Sequence, residues 1–218
     1  MEKAKANQQK LPLKMGHEDT VLCVAMLPSN PGNPSRIVSG SWDTFLRVWE
    51  IESGNCTLQL EGHTGPVTCV AVYKAGRRID RNGRCGAYIS PYYIVSGSKD
   101  GSLRVWNSES GDCTQKFTGH SSEVLCVDTY TCGCIISGSL DMSLRVWNSE
   151  CGYCTLQLFG HTAEVRCVAQ MLDGRIVSGS GENTLRVWEK TGKCTLLLIG
   201  HTKEVNCVAQ MPDGRIIS

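Results

Sequence analysis

Five Gly-His pairs punctuate this chain, at His17, His63, His120, His161 and His201, spaced by 46, 57, 41 and 40 residues. A pattern that returns at a near-constant period marks a repeat architecture, in which each unit buries its apolar face only against its neighbours. The spacing is stricter inside the unit than between units. From Ser39, Ser96, Ser137 and Ser178 to the next Trp the count is always 10, and from each of those Trp residues to the next His it is 14, 14, 14 and 13. From Cys23, Cys69, Cys126, Cys167 and Cys207 to the Ser that follows in the pattern it is 16, 27, 11, 11 and 11. All the length variation therefore falls in one connection, with insertions of 5 and 16 residues in the first two units.

Inside a unit the apolar residues alternate, as in VTCVAV, where Val67, Cys69 and Ala71 share a face. Short β-branched runs of period two are strands. In the fourth unit the pattern predicts strands at 165–169, 175–180, 185–188 and 194–198, joined by turns at Asp173-Gly174, Gly181 to Asn183 and Thr191-Gly192. Turns this short force antiparallel neighbours. Four strands in about 41 residues make one propeller blade. The expected fold class is all-β, a β-propeller of four-stranded antiparallel blades, incomplete, spanning 11–218 after a flexible basic tail at 1–10. Its blades are expected at 16–61, 62–118, 119–159 and 160–199, with a truncated fifth at 200–218. Ser218 aligns with Ser178, inside a second strand, so the chain reads as a fragment. Leu11 to Met15 offer a closing strand, but their apolar phase differs from that of Leu58 and Leu60.

Gly-His, a strand such as VRCVA, then RIVSGS, an Asp-containing turn, and LRVW followed by Glu or Asn recur in this order over residues 16–218. This wording resembles the WD-repeat β-propeller family, although Trp49-Glu50, Trp106-Asn107, Trp147-Asn148 and Trp188-Glu189 all lack the Asp that names it. The resemblance implies a tetrad in each blade: a turn carboxylate binds the His, the His binds the Ser, and the Ser binds the Trp ring nitrogen. The sets are His17, Ser39, Asp43, Trp49; His63, Ser96, Asp100, Trp106; His120, Ser137, Asp141, Trp147; and His161, Ser178, Glu182, Trp188. Glu182 brings an extra methylene into a tight turn, so its carboxylate is expected to miss the imidazole and leave blade four the loosest. Phe45 stands where Ser102, Ser143 and Thr184 stand elsewhere, making blade one irregular. Family propellers most often close at seven blades.

Composition excludes several function classes. The chain is 41% apolar and 20% charged, which is globular rather than disordered. Its longest apolar run, Val21 to Leu27, is seven residues, far short of the roughly 20 a membrane helix needs. The charged N-terminus is unlike a secretory signal, so the expected location is cytoplasmic or nuclear. Net charge is +1, but residues 1–16 carry +3 and 74–86 carry +4, leaving −6 on the rest. That body argues against nucleic acid, which selects a broad basic face. Nine of the thirteen cysteines are written by the repeat, as small apolar residues expected to be reduced. A zinc set of Cys132, Cys134, Cys151 and Cys154 is conceivable, but Cys154 is a repeat position and Cys-x-Cys is a poor knuckle spacing. No metal or cofactor is assigned.

Ser, His and Asp also make a nucleophilic triad, yet a hydrolase needs one set in one cleft, and here the set recurs blade after blade. No Gly-x-Ser-x-Gly elbow, phosphate loop or His pair at metal spacing is present. The chain is expected to be no enzyme and to have no small-molecule substrate; it reads as a scaffold for other proteins or peptides. The resemblance implies docking on the face of the His turns, through residues before the turn carboxylate, Trp42, Lys99 and Leu140 (Gly181 in blade four), and within the first strand, Leu22, Thr68, Leu125, Arg166 and Asn206. Substrate receptors of the F-box WD-repeat type are similar in wording and hold phosphopeptides with arginines there. A ubiquitin-ligase adaptor is therefore the alternative, although only Lys99 and Arg166 are basic. Trp42 either joins this platform or packs beneath a neighbouring loop. The insertion with Arg77, Arg78, Arg81 and Arg84 reads as a solvated loop or an acid-binding hairpin. Open blade edges predict self-association.

Overall fold

The computed structural model describes residues 16–29, 34–74, 92–130 and 133–218. The tail at 1–10, Leu11 to Met15, the arginine-bearing insertion and Cys132 lie outside the described residues.

Alternating apolar runs form four successive four-stranded antiparallel sheets, each a meander in chain order. Blade one holds β1 (Val21–Leu27), β2 (Arg36–Ser41), β3 (Leu46–Glu50) and β4 (Cys56–Leu60). Blade two holds β5 (Val67–Lys74), β6 (Tyr92–Ser98), β7 (Leu103–Asn107) and β8 (Cys113–Phe117). Blade three holds β9 (Val124–Thr129), β10 (Cys134–Ser139), β11 (Leu144–Asn148) and β12 (Cys154–Leu158). Blade four holds β13 (Val165–Gln170), β14 (Ile176–Ser180), β15 (Thr184–Trp188) and β16 (Cys194–Ile199). A two-stranded sheet, β17 (Ala209–Gln210) with β18 (Ile216–Ile217), begins a fifth. The blade-four strands fall within one residue of the sequence expectation at each end.

First strands of successive blades lie side by side, so the blades stack face to face in an arc. Each contact layer is written by the repeat. Leu46, Val48 and Leu60 of blade one meet Val67, Ile94 and Trp106 of blade two, all at 2% exposure or less. Blade two presents Leu103, Val105 and Phe117 to Val124, Ile135 and Trp147, and blade three presents Leu144 and Leu158 to Val165, Ile176 and Trp188. Burying one such side chain stabilises by about 1.5–3 kcal/mol. The two ends of the arc differ: Val21, Val24 and Met26 in blade one and Leu196, Leu197 and Ile199 in blade four are exposed.

The repeated cysteine of the first strand belongs to this layer. Cys69, Cys126 and Cys167 are buried, and the Cys126 and Cys167 thiols point at the carbonyls of Val165 and Val205 in the next blade. Burial pushes the Cys23, Cys69 and Cys167 thiols up to about 12, so they are inert as nucleophiles. The eleven described cysteines form no disulfide.

Candidate functional site

Each tetrad is assembled from two strands and two turns. In blade three, His120 Nδ1 is 2.8 Å from the Asp141 carboxylate, His120 Nε2 is 2.8 Å from Ser137 Oγ, and Trp147 Nε1 donates to that oxygen at 2.9 Å. Blade two repeats this with 2.9, 2.7 and 2.9 Å for His63, Asp100, Ser96 and Trp106. Blade one gives 2.9, 2.7 and 2.7 Å for His17, Asp43, Ser39 and Trp49. In the fifth repeat His201 Nε2 lies 2.7 Å from Ser218 Oγ.

Donors and acceptors balance in one direction. Trp147 N–H can only donate, so Ser137 Oγ accepts and its hydroxyl proton goes to His120 Nε2. Nδ1 then carries the proton and donates it to Asp141. This needs a neutral imidazole, and burial holds His120 and His161 below the ordinary histidine value against the opposing pull of their carboxylates. The carboxylates go down as well. Burial alone would raise Asp141, but Ser143 and His120 outweigh it and leave it at about 2. Asp100 and Glu182 are lowered in the same way, by His63 with Ser102 and by Thr162 with Thr184.

The carboxylate also ties two turns together. Asp141 accepts from the Ser121 amide at 3.0 Å and from the Ser143 amide at 3.0 Å, so the His turn and the β10–β11 turn are fixed to each other.

Glu182 corrects the sequence expectation for blade four. Its carboxylate reaches His161 Nδ1 at 2.7 Å and also accepts from the Thr162 amide at 2.7 Å, the Thr162 hydroxyl, and the Thr184 hydroxyl at 2.6 Å. The turn keeps the geometry of blade three, with Asn183 at φ 67° where Met142 has 66°, and the longer side chain still reaches the imidazole.

Blade one shows what the sequence reading missed. Ser102, Ser143 and Thr184 each give a hydroxyl to the turn carboxylate, and Phe45 cannot. Arg47 fills that role: buried at 2% exposure, it pairs with Asp43 at 2.8 Å and lies 5.7 Å from the centre of the Phe45 ring. An Arg stands two residues before every repeat Trp, at Arg47, Arg104, Arg145 and Arg186, and that spacing was the available signal.

Beside these pins lies the candidate docking surface. Between Val21 and Cys23 the pairing of β1 slips by one residue, so Leu22 is an extra residue, a β-bulge. The same slip occurs at Thr68, Leu125 and Arg166. A bulge re-aims the side chain it carries, and these four turn towards one rim. There Leu22, Trp42, Thr68, Lys99, Leu125, Arg166 and Asn206 line an open recess of about 280 Å³. Leu140 is exposed but stands outside that lining.

Trp42 is 47% exposed, with the Lys99 ammonium 4.7 Å from its ring centre, so it faces the rim under a cation and not beneath a loop. Both cations of the recess are already engaged. Lys99 pairs with Glu123 at 3.3 Å, and Arg166 pairs with Glu164 at 2.6 Å and Glu204 at 3.0 Å while donating to Asn206 at 3.2 Å.

Pins repeated in every blade, beside a rim that varies from blade to blade, describe a repeat scaffold, and comparison with known proteins agrees. The family model described as WD domain, G-beta repeat matches residues 9–50, 54–107, 111–148, 152–189 and 192–218. The chain belongs to the WD-repeat family. Similar curated WD-repeat and related proteins include an uncharacterized WD repeat-containing protein of Schizosaccharomyces pombe, 30% identical over 54% of this chain and 31% of that protein. Cell division control protein 4 of Saccharomyces cerevisiae is 30% identical over 52% of this chain and 12% of its own length. Small ribosomal subunit protein RACK1y of Oryza sativa subsp. japonica is 36% identical over 46% of this chain and 25% of its own length. The chain thus spans under a third of each of these relatives. WD-repeat proteins are generally non-catalytic scaffolds, and the repeats found here support a protein-interaction scaffold role.

No helix is long and apolar enough to cross a membrane, and no cluster of three or more His, Cys, Asp or Glu forms a metal site among the described residues. Cys132, a member of the zinc set, is outside them.

Proposed function

We propose that the bulge-built rim binds an extended segment of a partner protein in the cytoplasm or nucleus, anchored by an apolar side chain between Leu22, Trp42 and Leu125. The observation that carries this is the convergence of the four bulge residues with Trp42 and Lys99 on one recess. Half-exposed Trp and Leu beside charged rims are the composition of interface centres. The alternative, a ubiquitin-ligase adaptor gripping phosphopeptides, calls for cations that await a phosphate. Lys99 and Arg166 already rest on carboxylates, which favours a segment of low charge.

The test is affinity capture from cell extract with the wild-type chain, with Trp42→Ala plus Leu125→Ser, and with Leu172→Ser as a surface control. Leu172 is 77% exposed and off the rim. Partners retained by the wild type and the control, and lost by the rim variant at an unchanged melting temperature, are expected. Equal capture by all three would overturn the assignment.

A further inference from the structure

The Arg two residues before each repeat Trp stands directly opposite a residue of the outer strand: Gln59, Lys116, Gln157 and Leu197 in blades one to four. The two side chains share a face, since in blade one the Arg47 guanidinium donates to Gln59 at 3.0 Å. In blade two the same register sets Arg104 against Lys116. Like charges directly opposite one another destabilise a sheet.

The tetrad leaves Arg104 without a carboxylate. Arg47 pairs with Asp43 at 2.8 Å and Arg186 with Glu182 at 3.3 Å, whereas in blade two the Ser102 hydroxyl takes Asp100 at 2.7 Å. The Arg104 guanidinium is held 5.8 Å from the centre of the Trp106 ring, and a Cβ on Gly62 would stand 2.8 Å from its Nη1. Its side chain donates to the Cys113 sulfur at 3.5 Å, a weak acceptor, and its Nε is buried without a partner. Lys116 is exposed and makes no hydrogen bond or ion pair among the described residues. Glu61, beside Gly62, accepts from the Gln59 amide at 2.8 Å and makes no ion pair with either cation. Arg145 lies over Trp147 in the same way, but the residue facing it, Gln157, is neutral.

Two cations one cross-strand step apart match a single dianion. A phosphate monoester carries about −1.5 to −2 charge at pH 7 and three acceptor oxygens, two of which suit a guanidinium fork. One carboxylate would neutralise only one of the cations. β8 is the outermost strand of blade two, so its free edge is open to an extended segment that carries such a group.

From this we infer that Arg104 and Lys116 form a binding site for a phosphorylated serine or threonine in an extended segment of a partner protein, laid along the free edge of β8. Neither residue lines the rim recess, and neither reading requires the other.

A short glycine-alanine peptide with one central phosphoserine is the probe, titrated into the nitrogen-15-labelled chain. Saturable movement of the Arg104 Nε–H resonance is expected. It should be absent with the serine peptide, and binding should be at least about tenfold weaker with the glutamate peptide or with inorganic phosphate. Affinity should fall as pH drops through about 6, where the monoester takes up a proton. Lys116→Gln, which installs the residue already found at Gln59 and Gln157 in folded blades, should weaken binding about tenfold, and Lys116→Glu should abolish it. No saturable movement of Arg104, an equal response to the serine or glutamate peptide, inorganic phosphate binding as tightly as the phosphopeptide, or unchanged affinity in Lys116→Gln would overturn the site.

Discussion

Val165 Cγ1 stands 2.5 Å from the point where a Cβ on Gly138 would lie, so blade four seats against blade three only because residue 138 has no side chain. The Cys126 thiol closes the same space at 2.6 Å. Gly40, Gly97 and Gly179 meet the corresponding Val and Cys in the same way. The Ser-Gly pair of each second strand thus does two jobs: the Ser joins the tetrad, and the Gly lets the next blade approach.

Gly138→Ala is expected to destabilise the chain by about 1–3 kcal/mol through overpacking. Adding Val165→Ala should recover part of that loss, because the residues share one gap. Urea unfolding of the two single variants and the double variant measures the coupling, and strictly additive losses would contradict the contact.

Arg47→Ala removes the guanidinium from Asp43, in a pair whose members are 2% and 6% exposed, and leaves the carboxylate to His17 and the Glu18 and Phe45 amides. Losing one such charged hydrogen bond costs about 1.5–3 kcal/mol. Phe45→Ser in the same chain restores the hydroxyl donor of the other blades and should return a measurable part of it. The thermal midpoints of the single and double variants decide this.

Acid should weaken the fold in two stages. His120 and His161 sit below the ordinary value near 6.5, so as pH falls through about 6.5 the unfolded imidazoles take protons that the folded ones refuse. Stability then declines. Below about 4 the unfolded carboxyls protonate while Asp141, at about 2, and the lowered Asp100 and Glu182 stay ionised, and stability declines again. Asp128, which burial raises, works in the opposite sense as a single group. Denaturation from pH 8 to 3 should show a plateau above about 7 and a fall beneath it; a rise between pH 7 and 5 would contradict the neutral-imidazole account.

The exposed Val24 and Met26 at one end of the arc and Leu196 at the other, at 63%, 58% and 47%, hold positions that pack between blades elsewhere, at Val70, Val72 and Leu156. Purified 218-residue chain should therefore associate as its concentration rises. Sedimentation velocity should show Val24→Lys plus Leu196→Lys shifting the population towards monomer, and a wild-type monomer at all concentrations would contradict this.

Strand phase and the tetrad positions were legible because both are local or periodic: alternation shows in five residues, and a constant count from Ser to Trp survives any insertion placed elsewhere. What was hidden depends on distances across the chain. Glu182 reads as too long until its carboxylate is seen to meet His161, Thr162 and Thr184 together. Nothing in the sequence assigns Arg47 a role until Phe45 is seen to vacate a hydroxyl. The bulges at Leu22, Thr68, Leu125 and Arg166 leave no mark in composition, since a slipped register changes pairing and not sequence.

The most direct test of the pinned-blade account is the tautomer of His120 and His161, read from nitrogen-15 shifts of the labelled imidazoles at pH 7. A one-way chain from indole to carboxylate predicts a proton on Nδ1, slow to exchange, and a bare Nε2 accepting from Ser137 and Ser178. A proton on Nε2, or imidazolium shifts on both nitrogens, would contradict it.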